Sequence, residues 1–230
     1  MTAVYRLEAN ALQIGRALGV DCGRDPWAGG TVSPGQFAPV ITAGREAIAG
    51  PRPERLPLRM VPRLWGVPPP AAAGDPGRAV TLVRNPDSPF WIGNLRNSEF
   101  RCLVPATAFL AWGRVDPATN RRRRLWVSCG GGSNARTTGS RSFANGDATT
   151  ESVFAFAAVW KDSEVPAFAL LTCEANAVLR EQGVERMPGV LVPGDYHTWL
   201  RGGWDRAAAL VAPFASGATA IAGFNRRDAT

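Results

Sequence analysis

Residues 101–112 read Arg101-Cys102-Leu103-Val104-Pro105-Ala106-Thr107-Ala108-Phe109-Leu110-Ala111-Trp112. From Cys102 onward this is an apolar, β-type run, and it sets the class of fold around it. Working outward, residues 80–83, 125–127, 153–160, 167–171 and 189–192 read as further strands. Helical spacing is confined to a few places. Leu7, Ala11, Ile14 and Leu18 predict an amphipathic helix over residues 7–19, closed by Gly19. Residues 174–182 read as a second helix with Thr172 as N-cap, and two short helices fall within about 194–210. Residues 21–40 are rich in Gly and Pro and lead to a short apolar stretch at Pro39-Val40-Ile41. Residues 51–57 and 68–76 are Pro-rich extended loops. Strands dominate without regular β-α alternation. The expectation is one α+β domain over residues 1–230, a mostly antiparallel sheet or barrel core with a few flanking helices.

Composition narrows the function. The chain has 230 residues, 26 basic against 19 acidic, for a net charge of +7, and a pI near 10.2. An apolar content of 45% with 8 tryptophans excludes a disordered chain. The longest apolar run, residues 153–160, falls short of the roughly 18 residues of a spanning helix. Met1-Thr2-Ala3-Val4-Tyr5-Arg6-Leu7 has no basic stretch leading into an apolar core, so a cytoplasmic protein is expected. Cys22, Cys102, Cys129 and Cys173 are widely separated and form no Cys-x-x-Cys pair, and His197 is the only histidine. No metal, no cofactor and no disulfide framework are expected. Cys102 and Cys173 read as small buried hydrophobes. His197 reads as a solvated residue on a short helix whose Tyr196, Trp199 and Leu200 turn inward.

Residues 116–152 differ in kind. Arg121-Arg122-Arg123-Arg124 is followed by Gly130-Gly131-Gly132-Ser133-Asn134 and a run of Thr, Ser, Asn and Gly. This reads as a flexible excursion apart from a brief strand at 125–127. The glycines lack the Gly-Lys-Ser/Thr of a phosphate cradle. The four arginines suit a solvated charge run and a phosphate grip equally well.

Five segments, read in chain order, carry a family resemblance. Leu64-Trp65-Gly66-Val67-Pro68 resembles a Trp-Gly-Leu-x-Pro motif. Arg101-Cys102-Leu103-Val104-Pro105-Ala106 matches Arg-Cys-Leu-Val-Pro-Ala, and Phe109-Leu110-Ala111-Trp112 follows where the pattern has Phe-x-Glu-Trp. Ala157-Ala158-Val159-Trp160 resembles Ala-Gly-Leu-Trp. Thr172-Cys173-Glu174-Ala175-Asn176 resembles Thr-x-x-Ala-Asn, and Arg186-Met187-Pro188 ends a His-x-Arg-Met-Pro. Together these resemble the SRAP family (SOS response-associated peptidase), linked to the response to DNA damage. Its members attach covalently to abasic sites in single-stranded DNA.

The resemblance implies a site and also its loss. Family members expose a cysteine at position 2, whose amine and thiol capture the abasic aldehyde; here that position is Thr2. The family's asparagine aligns with Leu82, its proton-managing glutamate with Ala111, and its histidine with Val184. Each change removes a proton-transfer or hydrogen-bonding group. Glu185 is the neighbouring polar residue if the loop alignment shifts by one. The phosphate-contacting arginines are retained as Arg84 and Arg186. Trp65 and Trp112 keep aromatic surfaces on which a base could stack, and Arg63, Arg96 and Arg101 could extend the basic surface. The positive charge is nearly all arginine, Lys161 being the only lysine, which suits bidentate phosphate contacts.

The expected function is therefore non-covalent binding of single-stranded or abasic-site DNA by an inactive relative. One alternative is residual Schiff-base chemistry at the Thr2 α-amine, and another is a protein-interaction module that kept only the fold. Cys22-Gly23-Arg24 copies the family's opening Cys-Gly-Arg and is read as coincidence, because cleavage after Asp21 would remove the first helix.

Overall fold

In the computed structural model, which describes residues 4–43, 58–70, 79–130 and 152–222, the run at 101–112 is two strands. The chain bends at Thr107, whose N–H donates to Arg6 O at 2.8 Å and whose hydroxyl accepts Glu8 N–H at 3.2 Å. The bend hands the chain from one sheet to another. Every residue from Arg101 to Ala111 is buried, so no alternation of apolar and polar positions marks the break.

The strands are β1 (Tyr5–Leu7), β2 (Gly30–Val32), β3 (Phe37–Thr42), β4 (Arg59–Trp65), β5 (Leu82–Val83), β6 (Arg101–Ala106), β7 (Ala108–Asp116), β8 (Arg121–Cys129), β9 (Phe154–Lys161), β10 (Ala167–Glu174), β11 (Arg186–Pro188), β12 (Val190–Leu191) and β13 (Thr219–Ala222). The helices are α1 (Ala11–Leu18), α2 (Ile92–Arg96), α3 (Ala177–Glu181), α4 (Tyr196–Arg201) and α5 (Trp204–Ala209). Pairings run β10–β4–β3–β6–β9 and return from β9 to β10, closing a ring of strands. Only the β10–β4 step of that ring is parallel. Closure leaves no edge within the ring. Strands β5 and β11 attach along β10, and β12 attaches to β9.

A second, wholly antiparallel sheet has the order β13-β8-β7-β1-β2. Its inner face meets the ring through aromatic rings. Tyr5 lies 5.2 Å from Trp65 and 5.8 Å from Phe156, and Phe109 lies 5.9 Å from Phe156. Such pairs add about 0.5–1.5 kcal/mol each beyond the area they bury.

Several element boundaries differ from expectation for physical reasons. The first helix starts at Ala11, because Leu7 is taken by β1 and Asn10 forms a capping box with Gln13. Gly19 does close it, in the left-handed conformation with φ 65°. Thr172 is not the cap of the helix after β10. The strand continues to Glu174, and the Asn176 side chain accepts Leu179 N–H instead. Strand β8 begins at Arg121, so the four arginines stand on a strand and not in a loose loop. It pairs with β7 across a turn in which Asp116 O accepts Asn120 N–H at 2.8 Å. Residues 131–151, with most of the Gly-Gly-Gly-Ser stretch, lie outside the described residues, as do the Pro-rich segment at 51–57 and most of that at 68–76. Among the described residues no helix is long and apolar enough to cross a membrane.

Candidate nucleic-acid interface

The site is organised by Thr172, near the end of β10. Its hydroxyl donates to Val83 O at 3.0 Å, tying β10 to the end of β5. Arg186, paired opposite Glu174 on β11, folds its guanidinium back over the same threonine. Its Nη2 donates to Thr172 O at 2.8 Å and to Thr172 Oγ1 at 3.0 Å, and its Nε donates to that hydroxyl at 3.2 Å. Nη2 also reaches Arg84 O at 3.5 Å. Arg84 follows β5 directly and is exposed. Two arginines far apart in sequence thus line one cleft, and the guanidinium of one of them, Arg186, is held in place by Thr172.

The cleft encloses about 370 Å³. One wall is Val83, Arg84, Thr172 and Arg186; the opposite wall comes from α5 and the segment after it, through Trp204, Ala208 and Val211. Cys173 is set in this cleft, and burial pushes its thiol up to about 11 although the neighbouring Arg186 opposes the shift. It is a buried thiol and not a poised nucleophile. Trp204 was not read from the sequence as a site residue. Its only sequence signal is its position immediately after Gly202-Gly203.

Two expected site residues belong to the core. Trp65 is fully buried, its indole donating to Thr81 O at 3.1 Å and lying parallel to Phe168 at 6.3 Å. No face of it remains for a base. Arg101 is also fully enclosed, donates to Gly202 O and faces the Trp199 ring at 5.8 Å. Burial lowers its pKa to about 10, which still leaves it cationic at neutral pH. It stitches β6 to the end of α4 and contributes nothing to a basic surface.

The remaining candidates are outside the cleft lining. Trp112 is half-buried on β7, with the Arg124 guanidinium 5.5 Å from its ring centre. Arg63 lies over Trp160 at 4.7 Å and donates to Pro62 O. Arg96 is exposed at the end of α2. His197 is exposed on α4, while Tyr196, Trp199 and Leu200 are buried.

The positions at which the resemblance expects the active residues are apolar and packed among the described residues. Leu82 is half-buried beside Leu170, and Ala111 and Val184 are buried. The strand carrying Ala111 meets the loop carrying Val184 where Arg114 N–H donates to Gln182 O at 2.8 Å. Glu185 is exposed and its carbonyl accepts Ala175 N–H. Thr2 lies outside the described residues. The first described residue, Val4, accepts Leu110 N–H, one position before Ala111. Among the described residues no group of three His, Cys, Asp or Glu could hold a metal ion. Cys22-Gly23-Arg24 lies within a turn after α1, where Gly23 N–H donates to Asp21 Oδ1.

A closed ring of strands flanked by an antiparallel sheet, with paired arginines at its β5–β10–β11 end, defines the class. The model of the SOS response associated peptidase (SRAP) family matches residues 9–223. The chain belongs to the SRAP family. Solved structures of the same fold include a Bacteroides thetaiotaomicron protein, 14% identical with a TM-score of 0.68, the match covering 97% of this chain and 92% of that one. A Bordetella bronchiseptica protein is also 14% identical, with a TM-score of 0.67 over 97% of this chain and 99% of that one. A phage-related protein of the same bacterium is similar at 14% identity and a TM-score of 0.66, over 97% and 94% of the two chains. No curated protein matches the chain significantly.

Proposed function

We propose that this chain binds single-stranded or abasic-site DNA through phosphate contacts and does not react with it. The observation that carries the reading is that Arg84 and Arg186 line one cleft, with the Arg186 guanidinium set in place by Thr172. Phosphate contacts need fixed cationic donors and no proton transfer. Capture of an aldehyde needs groups that move protons. Leu82, Ala111 and Val184 supply none, and as apolar side chains they are packed without desolvating a charge. Binding is thereby separable from catalysis.

Fluorescence anisotropy with a labelled, unstructured single strand tests this. Wild-type protein is expected to bind with an affinity that falls as salt rises. Replacing both Arg84 and Arg186 by alanine should weaken binding about tenfold per arginine, roughly 1.4 kcal/mol each. It should also flatten the plot of log affinity against log salt by about 1.4, since each lost phosphate contact removes about 0.7 on single strands. An Arg186→Lys variant keeps the charge but not the fork, and separates loss of binding from loss of the Thr172 anchor. No binding by the wild type at low salt would overturn the proposal.

A further inference from the structure

A second cleft shares residues with the first, a third includes the neighbouring residue of the same loop, and both carry arginines that the family resemblance did not bring forward. Glu174 and Arg186 line both the first cleft and a second, wider one of about 550 Å³. The second also includes Arg180, Gly183 and Val184. A third, of about 260 Å³, is lined by Gln182 of the same loop together with Arg114, Val115, Arg123 and Leu125. Loop and hairpin are joined tightly. Arg114 N–H donates to Gln182 O at 2.8 Å. A Cβ at Gly183, where φ is +79°, would come within 2.6 Å of Arg114 Cγ. Glycine at 183 therefore lets the Arg114 side chain lie across the loop, between the second and third clefts.

We propose that these clefts form one track for a single nucleic-acid strand, running from Arg84 and Arg186 past Arg180 to Arg114 and Arg123. This rests on the binding proposed above and extends its footprint. Five arginines line the track against two carboxylates, Glu174 and Glu185, both of which face the middle cleft. Cations at both ends, with carboxylates between them, suit a flexible polyanion whose phosphates are spaced along its length. A compact anion would be met by one arginine pair only. The hairpin end also offers an apolar surface: Val115 is 48% exposed, at the irregularity in β7–β8 pairing that follows Trp112. On this proposal the two readings of the Arg121–Arg124 run are divided among its residues. Arg123 shares its face of β8 with Leu125 and enters the third cleft, whereas Arg124 is turned to Trp112.

The test compares strands of about 4 and about 16 nucleotides, the range of footprints on single-strand grooves. For wild type, the longer strand should bind more tightly and with a steeper salt dependence. In the Arg114→Ala/Arg123→Ala variant the gain from length should largely vanish, with a salt slope lower by about 1.4 on the long strand. Binding of the short strand at the Arg84 end should be little changed. Arg123→Ala alone, on an exposed side chain, should remove about half of the slope change and covers the case where Arg114→Ala disturbs the loop. If long-strand affinity and slope match wild type in both variants while Arg84→Ala/Arg186→Ala weakens binding, the track is wrong and the first proposal stands. If wild type binds neither strand, both fall.

Discussion

Arg101 opens a strand of the ring and Arg186 a strand that flanks it, yet their surroundings assign them to opposite tasks. The Arg101 guanidinium is enclosed, with Nη2 on Gly202 O and no hydrogen-bond partner for Nε or Nη1 among the described residues. Arg186 is half-buried and spends its donors at the rim of a cleft. Truncating Arg101 to alanine should therefore destabilise the fold by about 2–4 kcal/mol, through the cavity and the carbonyl left unpaired. A urea titration measures this, and the folded fraction should bind a single strand as wild type does. Impaired binding without loss of stability would place Arg101 at the interface after all. In the sequence the two are indistinguishable, since an arginine before an apolar run reads the same whether its head reaches solvent or a helix end. Trp65 failed to read correctly for the same reason. Its neighbours Tyr5 and Phe168 are brought to it only by the pairing of distant strands.

At the scale of elements, two asparagine caps offer a comparison. Asn10 is exposed and caps α1 through a local box with Gln13. Asn176 is buried, accepts Leu179 N–H, and donates to Phe214 O at 2.9 Å and to Thr219 Oγ1 at 2.8 Å. It therefore ties α3 to the end of the chain that leads into β13. Asn10→Ala should cost about 1 kcal/mol, the usual value of a cap. Asn176→Ala should cost distinctly more, about 2–4 kcal/mol, because it also leaves the buried Phe214 carbonyl without its donor and cuts the tie to Thr219. Equal losses in denaturant titrations would mean that Asn176 acts only as a local cap. Existence and type were legible for the long apolar strands, β9 and β10, and for the helices around Tyr196 and Trp204. Boundaries set by tertiary contact were not. Nothing local marks Thr107 as a bend, since its partners are Arg6 and Glu8. Arg121–Arg124 stay in a strand because the β7–β8 ladder projects beyond the core, where a charge costs no desolvation.

Across the whole molecule, the charge of +7 is spread over distinct environments. Among the described residues one arginine is locked inside, others stack on tryptophans, and five line three clefts. The family's frame is kept, while Leu82, Ala111 and Val184, where the resemblance expects polar groups, are apolar. The frame could be recognised in the sequence because short motifs such as residues 101–106 and 186–188 supply the ring and its anchor at Thr172. The first and third clefts could not, because each is built from segments separated by long stretches of chain. The central claim is that phosphate binding outlives covalent chemistry on this frame. Its most direct measurement is to load the protein on a labelled strand carrying one abasic site, then raise salt to about 1 M, where charges are screened within about 3 Å. Aliquots are run on a denaturing gel with and without borohydride. The account expects complete release by salt and no band retained with the protein in either lane. A protein–DNA band that survives denaturation, trapped or untrapped, would contradict it.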